Sequence, residues 1–472
     1  MKRGNYFILI LMIVLASGFV NAGNLINADS CSQVDVQAAI DAASAGDTVK
    51  VPAGSCVWDT KIDIIKGITL QGSGMDKTII TSDIPTAEGQ SGKEAISVNV
   101  LGSTPWRITG FTFTDMGDYF NYAGFMLIKG SVNNWRLDHC KFLDTNYRGL
   151  SIQSGVYGLI DHCEFKDLLN QAIYIRPQSS EADEIWATET NLGGYDAVYI
   201  EDCVFNNTVH TKGALDGEYG AKSVFRHNSL TNMGLVAHGY EGDRSTLRLE
   251  IYDNILTAKD SEMLNTYVVA LRGGTGIIYN NKITGKWLNV IMMKDYCACG
   301  DCVQGECTEY PCHDQIGRTS GEPYPNQPIE PIYQWDNTID GKTVIGFVQD
   351  SCPEQEFSVG DAIQEGRDYY DNQQKSGYTP YKYPHPLTIA PFGTDICGEG
   401  EITTECWCEG LKTTGTCNNG YFSGGSSCIH ASDTNCDGKV DIKELIFFIT
   451  KYNNGEVAIS ELTSAIDVWK GF

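Results

Sequence analysis

The sequence predicts an all-β protein built as a solenoid, in which short strands stack in parallel as successive coils. The first observation is a pattern of apolar, polar, turn, Cys or Asn, any, and apolar residues, which occurs six times between residues 135 and 283. Its fourth positions are Cys140, Cys163, Cys203, Asn228, Asn254 and Asn281. The second observation is that apolar and polar residues alternate within each copy, a period that favours strands over helices. Recurrence every 23 to 27 residues, with one interval of 40, indicates stacked units that bury their apolar sides together.

The first 22 residues have the features of a secretory signal peptide. Two basic residues precede an apolar run over residues 6–20, and Val20-Asn21-Ala22 forms a small-residue cleavage site. The run is too short for a transmembrane helix and no later run approaches membrane length, so we expect a secreted protein, extracellular or associated with the cell surface. The chain has 34 basic and 60 acidic residues, and its net charge of −26 disfavours nucleic acid as a partner.

Residues 23–296 are predicted to form the solenoid with an N-terminal capping helix. Ser32 and Asp35 fit the start of a helix with one apolar face, which would cover the open edge of the first coil. A disulfide between Cys31 and Cys56 would hold that helix in place. The chain has 17 cysteines, an odd number, so at least one thiol is unpaired within it. We expect the unpaired ones to be the cysteines of the repeat, buried and unreactive.

The repeat resembles the right-handed parallel β-helix of the pectin-lyase-like superfamily, whose asparagine ladder corresponds here to Asn228, Asn254 and Asn281. The resemblance covers roughly residues 31–294. It implies a polysaccharide as ligand and activity as a polysaccharide lyase or glycoside hydrolase. A non-catalytic glycan-binding or adhesin-type surface protein is the alternative. The Gly-His-Gly sequence of the inverting polygalacturonases does not occur, since Ala237 precedes His238.

A polar column along one sheet is the candidate site. Four of its members follow the fourth position of a repeat by thirteen residues. The interval is shorter after Asn228 and longer after Asn254. The members of the column are Gln153, Arg176, Asp216, His238, Arg272 and Lys294. Their neighbours are apolar and would point inward, so the column would point outward with about 4.8 Å between coils. Four side chains that can be cationic repel one another at this spacing, which favours an anionic or polyhydroxylated ligand over a scaffold role.

Within the column and beside it we predict five catalytic residues. Asp216 and His238 lie on adjacent coils, where the carboxylate would orient the imidazole as general acid or base. Arg176 and Arg272 would bind a uronate carboxylate or sugar hydroxyls, and Glu218 would supply a second carboxylate. Lyase chemistry needs one base and a cation that stabilises the enolate, whereas hydrolysis needs two acids about 5 to 10 Å apart. A solvated face with unrelated charges is the alternative.

A second outward column offers a competing site. It consists of the second positions of the repeat, which are Asp138, Asp161, Glu201, Arg226, Tyr252 and Tyr279. Three acids followed by an arginine are similar to the arrangement in pectate lyases that holds Ca²⁺ against a uronate; a polar outer face is the alternative that we favour. The third positions include His139, His162 and His227, which we assign to left-handed turns because Asp and Asn occupy the same place in other copies.

Three segments outside the repeats have no repeating pattern. The insertion between Arg176 and Val198 carries Trp186, which would stack on a sugar ring or anchor the insertion. Residues 297–396, rich in Cys, Tyr and Pro, are predicted to wrap over the last coil and complete the β-helix domain. Residues 397–428 carry five cysteines in a sequence of low apolar content and are predicted to form a small disulfide-rich module or linker.

Residues 429–472 are predicted to form a small α-helical calcium-binding module, because residues 433–444 match each position of a twelve-residue calcium loop. The ligands would be Asp433, Asn435, Asp437, the carbonyl of Lys439, Asp441 and Glu444. Two loop–helix units in tandem resemble a dockerin, which implies a cohesin-type scaffold protein as partner. A calcium-stabilised helical hairpin without a partner is the alternative. Thr450, Tyr452 and Ala458 replace ligands in the second unit, so one Ca²⁺ is expected.

Overall fold

The chain forms a parallel β-helix in the computed structural model. The structure describes residues 23–85, 94–116, 123–145, 148–209, 213–239, 244–261, 263, 266–294, 311, 313–321, 327–348 and 359–388, and the backbone of three strands between 402 and 423. Each complete coil contributes strands to three sheets in the order A, B, C, and sheet A has one further strand at each end. The predicted all-β solenoid is therefore confirmed. No helix in these ranges has the length and apolar character needed to cross a bilayer.

The three sheets run side by side along the solenoid. The 12 strands of sheet A, all parallel, are Leu25–Asn27, Thr48–Lys50, Thr69–Gln71, Arg107–Thr109, Trp135–Asp138, Gly158–Asp161, Val198–Glu201, Lys222–Arg226, Arg248–Tyr252, Thr275–Tyr279, Ile332–Trp335 and Tyr369–Asp371. The 11 strands of sheet B are Gly54–Trp58, Thr78–Ser82, Thr112–Asp115, Lys141–Leu143, Glu164–Lys166, Val204–Asn206, Ser229–Thr231, Ile255–Thr257, Lys282–Thr284, Thr338–Ile339 and Lys342–Thr343. The 10 strands of sheet C are Ile62–Ile64, Ile96–Val100, Met126–Gly130, Leu150–Ile152, Ile173–Ile175, Leu215–Gly217, Leu235–Ala237, Tyr267–Leu271, Asn289–Met293 and Gly346–Val348.

Short helical segments and one further sheet accompany the solenoid. The helices are Gln33–Ala42, Ser179–Trp186 and Val359–Ala362, with a 3-10 turn at Pro386–Thr388. The helix predicted after Ser32 is present as Gln33–Ala42. The Ser32 hydroxyl caps its first turn by accepting a hydrogen bond from the Asp35 N–H at 3.3 Å. Cys31 and Cys56 form the predicted disulfide. The strands Ile402–Cys408, Leu411–Asn418 and Tyr421–Ser423 form an antiparallel sheet of their own.

The turn from sheet A to sheet B explains the repeated pattern. The third positions have left-handed backbones, with φ of 49° at His139, 51° at His162 and 55° at His227. The prediction that these histidines serve as turn residues is confirmed. Asp and Asn fill the same place in other coils because their short polar side chains also tolerate this conformation.

The fourth positions form a buried hydrogen-bonded ladder. The side-chain carbonyl of Asn228 accepts from the Cys203 N–H at 2.9 Å, and that of Asn254 accepts from the Asn228 N–H at 2.9 Å. Cys140, Cys163 and Cys203 are buried and unpaired among the described residues, as predicted. Burial raises the pKa of the Cys140 and Cys163 thiols, which keeps them protonated and unreactive.

The sheets continue past residue 296, where the sequence pattern stops. Strands Ile332–Trp335 and Tyr369–Asp371 extend sheet A, and Asn337 continues the ladder by accepting from the Asn281 N–H at 3.0 Å. The pattern conceals this coil because Gln334 occupies the inward position that is apolar in other copies. Gln334 is satisfied there by the Asp371 carboxylate, which accepts from its amide at 2.8 Å.

Residues 375–388, here called the strap, run back along the outer face of sheet A. The Tyr378 hydroxyl donates to Glu250 at 2.5 Å, and the Tyr381 carbonyl accepts from Arg226 at 2.6 Å. Further along the strap, the Leu387 carbonyl accepts from Arg136 at 3.2 Å. The strap therefore crosses several coils towards the N-terminal end of the solenoid and covers the outward side chains of those coils.

Candidate functional site

The candidate column lies where the strands of sheet C end. The N–H groups of Arg176, His238 and Arg272 donate to the carbonyl of the last strand residue in the preceding coil, at 2.8, 2.8 and 3.0 Å. Lys294 makes the same contact at 2.9 Å. These four residues therefore occupy equivalent places on consecutive or neighbouring coils, as the sequence predicted.

Asp216 does not occupy the column position predicted for it. It lies beside Tyr174 within the paired strands, and the column position of its coil belongs to Glu218. The cause is the segment that links sheets B and C, which spans residues 207–214 in this coil but only 167–172 in the coil before. Two extra residues shift the register by two, and a shift of two keeps a side chain on the same face of a strand. Asp216 therefore still faces outward.

Asp216 and His238 form a carboxylate–imidazole pair. Oδ1 of Asp216 lies 2.6 Å from Nδ1 of His238, and Oδ2 accepts from the side-chain amide of Gln171 at 2.8 Å. The Asp216 side chain is 2% exposed and that of His238 is 20% exposed. An ionised carboxylate only accepts hydrogen bonds, so Nδ1 carries the proton and Nε2 is the nitrogen that can take up another.

A cation lies in the same column, on the coil that pairs with the Asp216 strand on the side opposite His238. Arg176 forms an ion pair with Glu218 and donates to the Tyr219 hydroxyl, and its guanidinium lies 4.1 Å from the centre of the Tyr219 ring. The Tyr174 hydroxyl donates to Glu218. The Arg176 side chain remains 40% exposed and that of Glu218 13% exposed. The site therefore combines an oriented imidazole with an accessible guanidinium.

Arg272 extends the column on the other side of His238. The backbone approaches closely here, because a Cβ at Gly239 would lie 2.5 Å from the Arg272 carbonyl oxygen. Only glycine fits at the position after His238. This close packing fixes the spacing between the coil that carries the imidazole and the coil that carries the second arginine.

Sequence reasoning missed the residues that support the pair. Gln171 contacts Asp216, and Arg148 both donates to Gln171 at 3.1 Å and lies 3.8 Å from the centre of the Tyr174 ring. Arg148 and Gln171 belong to the segments that link sheets B and C, which vary in length and carry no repeat. Tyr174 would have been found by aligning the strands of sheet C directly instead of counting from the ladder.

The competing column on sheet A has the predicted register but a different environment. Asp138, Asp161, Glu201, Arg226, Tyr252 and Tyr279 lie opposite one another on successive strands. Its charged members are completely covered: the side chains of Asp138, Asp161, Glu201 and Arg226 are each 0% exposed. These acids lie beneath the strap or neighbouring side chains, so the column is neither an exposed calcium site nor the solvent-facing polar surface that we favoured.

Arginines neutralise the carboxylates of this column. Asp138 accepts from Arg107 at 2.6 Å, Asp161 from Arg136 at 2.8 Å, and Glu201 from Arg226 at 2.7 Å. Among the residues that the structure describes, no group of three or more His, Cys, Asp or Glu side chains is arranged to hold a metal ion. The acids of sheet A are thus paired within the protein and unavailable to a cation.

Trp186 anchors the insertion and does not face a ligand. Its side chain is fully buried, and its indole N–H donates to the Ser245 carbonyl at 3.0 Å. The guanidinium of Arg244 lies 4.5 Å from the centre of the Trp186 ring. Of the two roles predicted for Trp186, the structure supports the anchor.

A cavity of about 430 Å³ has no residue of the column in its lining. It is lined in part by Glu189, Thr190, Glu330, Lys375 and Tyr378. Glu330 is already engaged, since it accepts from the Thr190 hydroxyl at 2.5 Å and lies 3.9 Å from the Lys375 ammonium. None of the lining side chains forms an acid–base pair like that of sheet C. Chemistry therefore places the candidate site at the column and not at the cavity.

Several sequence predictions fall outside the described residues. They include the signal peptide over residues 1–22, the cysteines between 297 and 307, and the whole calcium loop over 433–444. The disulfide-rich segment over 397–428 is described only as backbone strands.

Comparisons with known proteins give distant structural similarity. No protein-family model and no curated protein sequence matches the chain. An alginate lyase from Paenibacillus sp. str. FPU-7 is similar with 12% identity, a TM-score of 0.38 and coverage of 69% of this chain and 99% of that one. The catalytic domain of a GH87 alpha-1,3-glucanase gives 11%, 0.38, 75% and 68%, and a pectin methylesterase gives 12%, 0.34, 72% and 96%. At these identities and TM-scores the similarities carry no argument about the chemistry of this chain.

Proposed function

We propose that the protein is a carbohydrate-active enzyme that cleaves a uronate-containing polysaccharide by β-elimination, with His238 as the general base. The observation that carries this proposal is the 2.6 Å contact between Asp216 and Nδ1 of His238, in a column that also holds the exposed Arg176 side chain. A base and a cation on the same outer face are the combination that elimination requires.

The proposed reaction assigns one role to each group. Nε2 of His238 removes the proton from the carbon next to the uronate carboxyl group, and Asp216 stabilises the imidazolium that results. Arg176 and Arg272 stabilise the negative charge that develops on the uronate carboxylate. The electron pair of the broken C–H bond forms a carbon–carbon double bond, and the glycosidic oxygen leaves and takes up a proton from the solvent. His238 then releases the proton that it removed to the solvent.

The environment of the two carboxylates favours elimination over hydrolysis. Both oxygens of Asp216 are occupied, by His238 and Gln171, and the side chain is 2% exposed. Glu218 is bound to Arg176 and Tyr174. A hydrolase needs one carboxyl group as acid and a second as nucleophile or base, at the substrate. These two carboxylates instead serve the imidazole and the guanidinium.

The test is an assay of the purified full chain against polyuronates and neutral polysaccharides, with ultraviolet absorbance of the new double bond and reducing ends as readouts. We expect both signals on a polyuronate, and we expect His238→Gln to lower the rate about a hundredfold or more. His162→Asn is the matched control, because Asn280 occupies the same turn position in another coil with a φ of 50°. It should leave the rate unchanged.

Each other outcome of this assay contradicts part of the proposal. Reducing ends without absorbance would identify a glycoside hydrolase. Glycan binding without either signal would favour the non-catalytic alternative, a glycan-binding or adhesin-type surface protein. Activity that survives both His238→Gln and Asp216→Asn would place the chemistry elsewhere on the molecule.

We further propose that the chain is exported, with cleavage after Ala22, and that residues 429–472 form a dockerin-like module that binds one Ca²⁺ and a cohesin-type scaffold protein. The support is the match of residues 433–444 to the twelve-residue calcium loop and the degenerate second loop. Calorimetry of the full chain should detect one bound Ca²⁺, and Asp437→Ala should abolish it. Two equivalent sites would contradict the interpretation of the second loop.

We also propose that the first helix caps the solenoid and that residues 397–428 form a disulfide-rich module. The helix Gln33–Ala42, with its buried residues Val36, Ala39 and Ile40, supports the role of an N-terminal cap. The five cysteines of residues 397–428 support a disulfide-rich module. Mass spectrometry of the unreduced and reduced protein, after proteolysis, tests which of these cysteines are bridged.

A further inference from the structure

A chain of side-chain contacts crosses four neighbouring coils of sheet C and ends at His238. Nε of Arg148 donates to the side-chain carbonyl of Gln171 at 3.1 Å, and the Gln171 amide donates to Asp216 Oδ2 at 2.8 Å. Asp216 Oδ1 then lies 2.6 Å from Nδ1 of His238. The four residues come from consecutive coils, whose sheet C strands pair directly.

The hydrogen-bonding capacities of these groups give the chain a single direction. A guanidinium only donates, so Gln171 must turn its carbonyl oxygen to Arg148 and its NH₂ group to Asp216. An ionised carboxylate only accepts, so His238 must donate from Nδ1. If the Gln171 amide were flipped, its oxygen would face a carboxylate and its NH₂ group would face a guanidinium, and both contacts would be repulsive. Arg148 therefore decides the orientation of the amide.

The far end of the chain is held firmly. The Arg148 guanidinium lies 3.8 Å from the centre of the Tyr174 ring, and the Arg148 carbonyl accepts from the Phe125 N–H at 3.1 Å. Arg148 is 9% exposed and Asp216 is 2% exposed. Because both groups are largely removed from solvent, water replaces these contacts poorly and the orientation passes from one residue to the next.

We propose that Gln171 and Arg148 are positioning residues, which hold Asp216 so that His238 keeps its proton on Nδ1 and offers Nε2 to a substrate. Neither residue needs to touch the substrate. The importance of the chain for catalysis rests on the proposed function, whereas the tautomer of His238 is a property of the protein that can be measured without any substrate.

The direct test is nitrogen NMR of the His238 ring in the full-length protein. The wild-type protein should show a single neutral tautomer with the proton on Nδ1. Gln171→Leu removes the donor that orients Asp216, so we expect a mixture of the two tautomers. Gln171→Glu adds a second carboxylate beside Asp216, so the midpoint of the His238 titration should move to higher pH. Gln71→Leu is the control, because Gln71 is exposed on sheet A; neither signal should change.

Substitutions at Arg148 test whether this guanidinium sets the orientation of the Gln171 amide. Arg148→Met removes the group that orients the Gln171 amide and should give the same mixture of tautomers as Gln171→Leu. Arg148→Lys retains a cationic donor and should restore the wild-type tautomer. If Gln171→Leu, Gln171→Glu and Arg148→Met all retain the wild-type spectrum and titration, the positioning role is wrong.

Kinetics separates this inference from the proposed function. If the protein cleaves a polysaccharide, Gln171→Leu should lower kcat about tenfold, part of the effect of a positioned general base, with little change in KM. If no polysaccharide is cleaved, the proposed function fails, and the NMR experiment still decides the positioning role. Activity in a protein whose His238 spectrum is insensitive to all three variants would overturn the positioning role alone.

Discussion

Two columns of charged side chains face outward from the same solenoid, and they differ in how their charges are compensated. In the sheet A column, the four charged side chains are each 0% exposed and the acids are paired with arginines; these four are Asp138, Asp161, Glu201 and Arg226. In the sheet C column, defined by Arg176, Glu218, His238 and Arg272, the Arg176 side chain is 40% exposed and that of His238 20%. Charge density alone therefore does not mark a binding site; accessibility decides.

Hydrogen bonds to their oxygens offset the cost of burying the carboxylates of the sheet A column. Asp138 accepts from Arg107 at 2.6 and 2.7 Å and from the Thr109 hydroxyl at 2.9 Å, and it contacts the His139 ring at 2.8 Å. Burial raises the pKa of Asp138, but the hydrogen bonds from Arg107 and His139 outweigh burial and hold this pKa well below its usual range. The carboxylate therefore stays ionised although it is withdrawn from water.

The largest effect is expected from the same substitution made in each column. Arg226→Met leaves Glu201 buried without its partner and should lower the free energy of unfolding by about 3–5 kcal/mol. Arg176→Met removes a half-exposed ion pair and should cost about 1 kcal/mol or less. Urea denaturation of both variants and of the wild-type protein measures the difference. Equal losses in the two variants would show that the columns do not differ energetically, and the comparison would fail.

The sequence predicts each column's face but not what covers it. The turn positions and the Cys/Asn ladder positions recur in each copy of the pattern, so the register of the sheet A column follows from the local sequence. The strap contacts Arg226 through Tyr381 and Lys382, at sequence separations of 155 and 156 residues. Pro- and Tyr-rich sequence carries no periodicity that says which coil it will cover. Burial by a distant segment was therefore beyond the reach of the pattern.

The candidate site was predicted in part, for a related reason. The contact between Asp216 and His238 was predicted although Asp216 lies two residues from its predicted position, because a shift of two keeps a side chain on the same face. Gln171 and Arg148 were missed because they come from segments between strands, whose lengths change from coil to coil. Strand periodicity predicts which side chains face outward, whereas it does not predict the contacts between neighbouring loops.

A second prediction concerns the pH dependence of the strap. His385 belongs to the strap and is buried against sheet A, with its ring 4.8 Å from that of Tyr199. Burial, together with the nearby Arg226 and Arg136, lowers the pKa of His385 well below its ordinary value. Below the ordinary pKa, the unfolded chain binds a proton that the folded protein does not. The contribution of His385 to stability is therefore complete at neutral pH and decreases as the pH falls from about 6.5.

The variant His385→Asn isolates this contribution, because its side-chain oxygen can replace Nδ1 as acceptor for the Leu387 N–H but does not titrate. Burial raises the pKa of Glu201, which titrates with the opposite sign, so the informative quantity is the difference between variant and wild type. We expect urea denaturation to show a smaller loss of stability from about pH 7 to about pH 5 in the variant. Parallel pH curves would contradict a strap that is sensitive to acid.

The smallest effect is expected at the exposed edge of the strap. The Tyr383 hydroxyl donates to Asp202 at 2.8 Å, and its ring stacks on that of His227 with centres 3.6 Å apart. Tyr383→Phe keeps the stacking and removes one exposed hydrogen bond, so it should lower the free energy of unfolding by about 0.5 kcal/mol. Tyr370→Phe is the matched control, since it loses an exposed hydrogen bond to Gly366 outside the strap. A loss at Tyr383 as large as that of Arg226→Met would mean that the edge of the strap, and not the buried ion pairs, stabilises sheet A.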